Sequence, residues 1–454
     1  MNNTIDILDW ATFPLYMLVI FGIGLYFYEA NKEKSHFKWL LPGLMAKMFG
    51  GFCFVLIYVF FYGSGDTFGY SNGAFALDKL LFKDIGDYLT AMTSSSQELL
   101  ENRPDLSFQI PFAMSSEEFF TVKIISFFNL LAFNSYLNLT VVISAVSFVG
   151  VWKAFSSVVY HFPALEKYTA WSFLFFPTVI FWGSGILKDS ISLCALLFFF
   201  HYFENFFWQK KRSLWRIFLI IFTAYIALNV KPYIILSFLP ALAVCIYLNA
   251  SRKMESKTLR LIVTPLMLAT TFVMAYLIVG YVSAQSEKYA LDQIEDRTKS
   301  FQWWHQQTGG SVYTLGEISY TPVGIAAKVP AALNVTLFRP YLWEVRTPIM
   351  LLTSLESTFL FLLFGYLLWC YRFRILRPIF QSPLIALAFV YVVIFGFAVG
   401  FTSYNFGALA RYKIPCMPFF GLILAYLYAG RPIAKQASAQ QHIPPASSSA
   451  QLPG

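Results

Sequence analysis

The residues of this 454-residue chain whose types could support chemistry are charged side chains that stand beside Gly, Pro or aromatic residues. Five short stretches contain them: GSGD (63–66), SGILKD (184–189), VKPY (230–233), FRPYLWE (338–344) and LARYK (409–413). A carboxylate at a helix end can be a functional acid, and Arg can hold phosphate oxygens through two parallel hydrogen bonds. These stretches are therefore the first candidates for a functional site.

Each stretch also has a simpler structural interpretation. Asp66 among glycines could form a capped turn, because Asp and Gly both favour turns for local backbone reasons. Lys188 and Asp189 could pair with each other, or Asp189 could cap the next helix. Lys231 before Pro232 is typical of a lysine that reaches to the membrane surface. The residues alone leave the functional and structural interpretations open.

A second group of candidates lies later in the chain. Arg339, Arg346, Arg411 and Lys413 form a cationic set, of which Arg411 and Lys413 suit an anionic headgroup. Glu356 lies within an apolar run, where a carboxylate is costly unless it is neutral or paired, so it is a functional candidate. A structural partnership of Glu356 with nearby Ser and Thr hydroxyls is equally consistent with the sequence. The candidate substrate contacts are Tyr70, Glu344 and Glu356.

Composition determines the broad class of the protein. The chain is 57% hydrophobic and 13% charged, whereas an ordinary soluble domain is about 25% charged. Its apolar residues form blocks of around 20, the length that a helix needs to cross about 30 Å of hydrocarbon. We predict an all-α, polytopic membrane bundle of about eleven helices. They cover 9–29, 39–62, 136–156, 168–186, a run from 190, a pair over 213–250, 261–284, 347–371, 378–400 and 414–430.

The distribution of Lys and Arg predicts the orientation, because basic residues of short loops stay on the cytoplasmic side. The amino terminus is expected outside and the carboxyl terminus inside. Segments 63–119 and 285–346 become long external loops of an integral membrane domain that covers 1–434. The tail 435–454, rich in Ala, Ser, Gln and Pro, is predicted to be disordered and cytoplasmic. All five candidate stretches then fall on the external face.

Metal and nucleotide sites have little support in the sequence. The five Cys residues lie in or beside apolar runs without a CxxC pair, and the five His residues are scattered, so no His- or Cys-based metal site is predicted. A divalent metal is possible if the fold brings Asp66 and Asp189 together to share an ion. The glycines around Asp66 follow a segment too long and apolar for the strand of a dinucleotide-binding unit. No nucleic-acid partner is indicated.

Three longer stretches carry a resemblance to a known family. ARYKIPCMPFF, from Ala410, resembles the late Arg-Tyr-Pro segment of bacterial relatives of the dolichyl-phosphate-mannose protein mannosyltransferases, which are multi-pass GT-C glycosyltransferases. PTVIFWGSGILKD and LFRPYLWE are similar to bacterial membrane proteins grouped near them. The chain departs from the family pattern because an extra helix precedes the first external loop. Asp66 also stands alone where the family often has an acidic pair.

The resemblance implies a function and roles for the candidate residues. Such enzymes take a sugar from a polyprenyl-phosphate carrier on the external face of the bacterial inner membrane and pass it to a glycan, lipid or protein acceptor. Asp66, or Asp189, would accept the proton of the acceptor hydroxyl. Arg411 and Lys413, with Arg339 or Lys188, would hold the phosphate that leaves with the lipid.

Three other functions stay open at this level. A lipid-linked polysaccharide polymerase or ligase also needs external basic residues and a lipid-phosphate leaving group. A transporter or flippase would favour internal repeats and broken helices with polar groups near the midplane, and Glu356 is the feature that favours it. A scaffold would bind a partner through the acidic segment 78–118.

Overall fold

The computed structural model describes residues 5–252, 311–319 and 321–431, together with the isolated residues 254, 269 and 303. Within these residues the chain is helical and contains no strand, although one antiparallel bridge joins Val312 to Asn405. The prediction of an all-α fold is therefore confirmed for the described part of the chain. Three predicted segments lie outside the described residues. They are the span 261–284 apart from residue 269, the loop from 285 to 310 apart from residue 303, and the tail 435–454.

The first part of the chain has three helices of 18 residues or more, then three short helices and a helix of 16 residues. Two of the short helices begin at capping signals: Asp84 accepts hydrogen bonds from the backbone N–H groups of Gly86 and Asp87, and Ser95 and Glu98 form a capping box. Such caps satisfy backbone donors that a short helix leaves unpaired. The helices are α1 (Ile7–Glu29), α2 (Leu40–Ile57), α3 (Asp66–Lys83), α4 (Ile85–Thr93), α5 (Ser96–Asn102), α6 (Pro104–Gln109) and α7 (Ser116–Leu131).

The middle part is organised around one central helix. α8 (Tyr136–His161) has 26 residues, which gives it a length of about 39 Å. It packs against α1 and α2 and against two helices that follow it, α9 and α11. The bounds of the following helices are α9 (Glu166–Leu174), α10 (Pro177–Trp182), α11 (Lys188–Phe207), α12 (Leu214–Val230) and α13 (Pro232–Ser251).

Proline marks the first turn of several helices in the last part. Proline fits there because the N–H it lacks would have no partner within the helix. The helices are α14 (Pro322–Ala327), α15 (Val329–Phe338), α16 (Pro348–Tyr371), α17 (Leu376–Phe380), α18 (Pro383–Thr402), α19 (Phe406–Tyr412) and α20 (Met417–Ala429). α18 packs against α13, α15 and α20, and α20 packs in turn against α9. The middle and last parts of the chain are thereby joined in one bundle.

Seven helices among the described residues are long and apolar enough to cross a membrane, or eight if the bent pair α19–α20 forms one span. The protein is therefore a multi-pass membrane protein, but the predicted count of eleven is not confirmed. One predicted span, 261–284, lies outside the described residues apart from residue 269. α12 has 17 residues, so its length of about 26 Å is short for the hydrocarbon core.

The predicted span 168–186 is two short helices instead of one. α9 ends at Leu174, and Pro177 begins α10. Phe176 takes an extended conformation with ψ of 121°, as expected for a residue that precedes proline. The last predicted span, 414–430, begins only at Met417, and α20 is bent by 72° from α19. The bundle thus contains two interrupted helices that lie side by side.

Segment 63–119 forms a helical cap with a hydrophobic core of its own. Its helices bury apolar side chains such as Leu77, Leu99 and Phe119, each at most 1% exposed. The segment has nine acidic and three basic residues, but its interior is apolar. This core continues into the bundle through Leu139 of α8 and Ile191 of α11. The cap is therefore fixed to the bundle at the end where α11 begins.

Candidate functional site

Four helix ends meet at the cap side of the bundle, and each brings one charged side chain. Asp66 is the first residue of α3, and Asp189 is the second residue of α11. Lys231 lies between α12 and α13, and Arg411 lies in the last turn of α19. We call these four residues the charged cluster. It unites four of the five stretches that the sequence indicates: GSGD, SGILKD, VKPY and LARYK.

The glycines of GSGD fix the backbone that presents Asp66. α2 continues as a π-helical turn, Tyr58–Tyr62, which ends at Gly63 with φ of +65°. Gly65 has φ of +140°, and a Cβ atom there would lie 2.8 Å from the Tyr58 ring. Both conformations favour glycine. The glycines therefore set a sharp entry into α3.

The guanidinium of Arg411 lies between the two carboxylates of the cluster. Its Nη2 is 3.3 Å from Oδ2 of Asp66 and 3.1 Å from Oδ2 of Asp189. Lys231 Nζ donates a hydrogen bond to Oδ1 of Asp189. The order Asp66, Arg411, Asp189, Lys231 is thus one continuous line of alternating charge with no net charge.

Exposure falls along this line. The side chain of Asp66 is 56% exposed, that of Arg411 16%, that of Asp189 2% and that of Lys231 3%. The buried Asp189 needs its two cations, because an unpaired buried charge is very costly. Asp66, by contrast, keeps most of its carboxylate in contact with solvent. Asp66 is therefore the member of the cluster that is most open to an external molecule.

Aromatic rings surround the buried part of the cluster. The guanidinium carbon of Arg411 is 6.0 Å from the centroid of the Trp182 ring, and Lys231 Nζ is 4.4 Å from that of Tyr412. Cations over aromatic faces are favourable, and the rings exclude water from the ion pairs. Nε of Arg411 is buried and has no hydrogen-bond partner within the described residues. Within the described chain this buried donor is thus unsatisfied.

Lys188 and Tyr70 lie beside the cluster with separate roles. Lys188 Nζ is 2.6 Å from Glu118 and 3.4 Å from Glu117, both in the first turn of α7. The ammonium therefore ties α7 to α11 instead of pairing with Asp189. Tyr70 is 1% exposed and packs on Phe112, and burial raises the pKa of its hydroxyl above the ordinary value. Tyr70 thus belongs to the core of the cap.

Arg339 and Glu344 form a pair of their own. Arg339 Nε is 3.1 Å from Oε2 of Glu344, and its guanidinium lies over the ring of Phe406, 5.0 Å from the centroid. Partial burial opposes ionisation of Glu344, but the hydrogen bonds from Arg339 and from the N–H of Tyr341 outweigh it and lower its pKa. Phe406 begins α19, so this pair supports the helix that carries Arg411.

Glu356 and Lys413 lie at the breaks of the two interrupted helices. Both oxygens of Glu356 accept hydrogen bonds from Thr178 at the start of α10, at 2.8 Å from its N and 2.7 Å from its Oγ1. Lys413 Nζ, just after α19, donates to Ser357 at 3.1 Å. Both charged side chains are buried. They form a second polar network inside the bundle.

A third buried charge lies at the other end of α10. Lys47 of α2 is 2% exposed, and its Nζ donates to the carbonyl of Val179 at 2.8 Å. Glu356 therefore meets the first turn of α10 while Lys47 meets a carbonyl further along it. The helix dipole favours an acid near the amino end of a helix and a base near its carbonyl groups, so it stabilises both Glu356 and Lys47.

The structure thus sorts the predicted site residues into separate groups. It brings Asp66, Asp189 and Arg411 together. The other predicted residues lie elsewhere, in the Lys188, Arg339–Glu344 and Glu356–Lys413 contacts or, for Tyr70, in the cap core. Neither simple interpretation of Lys188 and Asp189 holds: they do not pair with each other, and Asp189 makes no capping hydrogen bond within the described chain.

Sequence reasoning indicated the VKPY stretch but did not place Lys231 among the site residues, and it missed Glu117, Glu118 and Lys47. The simple interpretation of Lys231, a lysine that reaches to the membrane surface, is wrong, because Lys231 is buried against Asp189. A signal existed, because a lysine directly before a proline at a helix junction cannot extend freely along a helix surface. Lys47, inside an otherwise apolar run, could have been found as an intramembrane charge.

The donor set of the cluster does not fit a divalent metal. The space between Asp66 and Asp189 is occupied by the Arg411 guanidinium. Within the described residues there is no group of three or more His, Cys, Asp or Glu side chains placed to hold a metal ion.

Comparisons with known proteins identify no relative. No protein-family model, no curated protein and no solved structure matches the chain.

Proposed function

We propose that the protein is a membrane glycosyltransferase that moves a sugar from a polyprenyl-phosphate carrier to an acceptor hydroxyl at the charged cluster. The observation that supports this most is the contact of the exposed Asp66 carboxylate with the guanidinium of Arg411. A proton acceptor and a phosphate ligand are the two groups that such a transfer needs. The glycosyltransferase resemblance of the sequence points to the same reaction.

The reaction is a substitution at the anomeric carbon of the sugar. The acceptor oxygen forms a bond to this carbon while the bond from the carbon to the phosphate oxygen breaks. The carboxylate of Asp66 takes the proton of the acceptor hydroxyl, and the bonding electrons leave with the polyprenyl phosphate. Arg411 would stabilise the negative charge that grows on the leaving phosphate.

Asp189 and Lys231 would act as positioning residues. Asp189 fixes the guanidinium from the buried side, and Lys231 fixes Asp189. Because both are buried, the guanidinium is held without reorganisation when charge develops on the substrate.

The proposal places the cluster on the external face of a bacterial inner membrane, with the amino terminus outside and the carboxyl terminus in the cytoplasm. The numerous Lys and Arg residues at the opposite helix ends support this orientation. A polysaccharide polymerase or ligase would use the same base and the same cation to join lipid-linked glycans.

The test is sugar transfer in lipid nanodiscs from labelled polyprenyl-phosphate donors, with wild type, Asp66→Asn and the matched control Glu101→Gln. Glu101 is an exposed carboxylate of the same cap, outside the cluster. We expect Asp66→Asn to lose 10²-fold or more of the rate, an order of magnitude typical of general-base removal, while Glu101→Gln keeps it. Equal rates in all three proteins, or no transfer with any donor, would refute the proposal.

A lipid transporter or flippase is the second candidate, and a specific observation favours it. Two interrupted helices, α9–α10 and α19–α20, meet at buried Glu356 and Lys413. Interrupted helices whose ends face buried charges are typical of transporters.

The two functions depend on different residues, so a pair of variants separates them. In proteoliposomes with a fluorescent phospholipid, transbilayer movement would be lost in Glu356→Gln and kept in Asp66→Asn if the protein is a flippase. Sugar transfer would show the opposite dependence on Asp66. Lipid movement at the rate of protein-free vesicles would remove this candidate.

A further inference from the structure

A cavity lies at the end of the bundle opposite the charged cluster. It has a volume of about 690 Å³ and is bounded by the ends of α8, α16 and α20 and by α17. Asp189 lies in the first turn of α11. Glu204 lies about 22 Å further along that helix and contacts His161 at the end of α8. His161 lines the cavity, so the cavity and the charged cluster lie at opposite ends. We call it the arginine pocket, after Arg374 and Arg377 in its wall.

The two arginines of the pocket differ from Arg411 in having no carboxylate beside them. Within the described residues, the side chain of neither Arg374 nor Arg377 makes a hydrogen bond or an ion pair, and both residues are exposed. An arginine that is not paired is free to bind two oxygens of an anion at once.

The other polar groups around the pocket leave it basic. His161 Nε2 is 2.7 Å from the carboxylate of Glu204, which also accepts hydrogen bonds from Gln209. That carboxylate is fully buried behind the His161 ring and is already engaged. Arg431 adds a further positive charge close by, stacked on Tyr428 at 3.8 Å from the ring centroid. The charged groups that an anion could contact in the pocket are thus the arginines.

The rest of the wall is apolar and aromatic. Tyr371, Tyr426, Phe162 and Pro163 line it together with the backbone of Gly430. A volume of this size is that of a site for an organic ligand and far exceeds the needs of a free inorganic anion. Aromatic side chains at the ends of membrane helices lie at the depth of the lipid headgroups. The pocket therefore combines a phosphate-binding pair with a wall suited to the glycerol and upper acyl region of a lipid.

We propose that the arginine pocket binds the phosphate headgroup of an anionic phospholipid of the membrane that holds the protein. Basic pockets between membrane helices on the cytoplasmic side are where such headgroups are held. The arginines of the pocket would grip the phosphate oxygens while the tyrosines contact the lipid backbone. This inference does not depend on the proposed transferase function, since the two sites lie at opposite ends of the bundle.

The experiment measures lipid binding to the purified full-length protein by native mass spectrometry in detergent. Phosphatidylglycerol, phosphatidylcholine and inorganic phosphate are titrated separately into wild type and into Arg374→Gln/Arg377→Gln. The matched control is Lys210→Gln/Arg212→Gln, which removes two exposed basic residues just after α11, at the same end of the bundle. Thermal unfolding of each variant shows whether it is folded.

We expect wild type to bind phosphatidylglycerol in preference to phosphatidylcholine, and the pocket variant to bind it roughly 20- to 30-fold more weakly, from about fivefold for each arginine near a lipid headgroup. The control should stay within about twofold of wild type. Arg374→Lys/Arg377→Lys keeps the charge but loses the two-pronged geometry, so its affinity should fall between the two.

Three results would overturn the proposal. Equal losses in the pocket variant and the control would reveal general surface attraction in place of a site. Equal binding of the two lipids would remove the role of the headgroup charge. Binding of inorganic phosphate at the same concentrations as phosphatidylglycerol would assign the pocket to a free anion instead of a lipid.

Discussion

The cationic side chains of the charged cluster and those of the arginine pocket, at opposite ends of the bundle, differ in whether they have a carboxylate partner. At the cap end, Arg411 and Lys231 are held by Asp66 and Asp189 in a largely buried line without net charge. At the other end, the pocket arginines are exposed and have no carboxylate partner in the described chain. A buried cation is stable only beside an anionic partner, whereas an exposed cation is stabilised by water. The paired cations are therefore held in one geometry, whereas the unpaired ones are free to move towards an anion.

The largest expected effect comes from breaking the buried half of the cluster. Asp189→Asn leaves Arg411 and Lys231 without their buried partner, so we expect a loss of about 3–5 kcal/mol in the free energy of unfolding. Thermal unfolding in detergent followed by intrinsic fluorescence measures the change. Asp189→Asn/Lys231→Met should recover part of the loss because one orphaned charge is gone. A single variant as stable as wild type would show that the pair is not structurally important.

The second prediction concerns the backbone that presents Asp66. Gly65→Ala puts a Cβ atom 2.8 Å from the Tyr58 ring at φ of +140°. Strain of this kind costs of order 1–3 kcal/mol. Gly22→Ala is a control, because a Cβ atom there meets nothing within 4 Å. The two variants are compared by thermal unfolding and by sugar transfer. Unchanged stability and rate in Gly65→Ala would mean that the turn adjusts without cost.

A smaller effect is expected from pH at the Arg339–Glu344 pair. Its hydrogen bonds lower the pKa of Glu344, so the pair stabilises the fold above the ordinary glutamate pKa of about 4.3. That stability is lost as the pH falls through the lower folded value. The difference in the free energy of unfolding between wild type and Glu344→Gln, measured by thermal unfolding, should therefore be largest near neutral pH, on the order of 1 kcal/mol, and should shrink below pH 4. A difference independent of pH would contradict the assignment.

The smallest effect on stability is expected at the arginine pocket. Arg374→Gln/Arg377→Gln removes two charges that have no partner in the described chain, so the free energy of unfolding should change by less than about 0.5 kcal/mol in lipid-free detergent. Added phosphatidylglycerol should then stabilise wild type more than the variant, because ligand binding stabilises the folded state. A large loss of stability without lipid would mean that these arginines serve the fold and would erase the contrast with the cluster.

Proline illustrates how far the helix pattern could be predicted. Pro14 and Pro240 lie inside continuous helices, whereas Pro177 separates α9 from α10. All three stand in apolar runs, so their sequence surroundings do not distinguish them. The break at Pro177 is stabilised by Glu356, a side chain 178 residues away that bonds to Thr178. A local pattern cannot contain such a distant partner, and the predicted span 168–186 was wrong for this reason.

The sequence by itself determined that this is an all-α, multi-pass membrane protein, since the lengths of apolar runs reflect the cost of unpaired backbone groups in lipid. It also determined which stretches carry charge at helix ends, and four of the five indicated stretches meet in the cluster. The tertiary structure alone decided the partners: Arg411 with Asp66 and Asp189, Lys188 with Glu117 and Glu118, and Lys231 with Asp189. Ion pairs depend on distances between helix ends that are far apart in the chain, and only the packing of the bundle sets those distances.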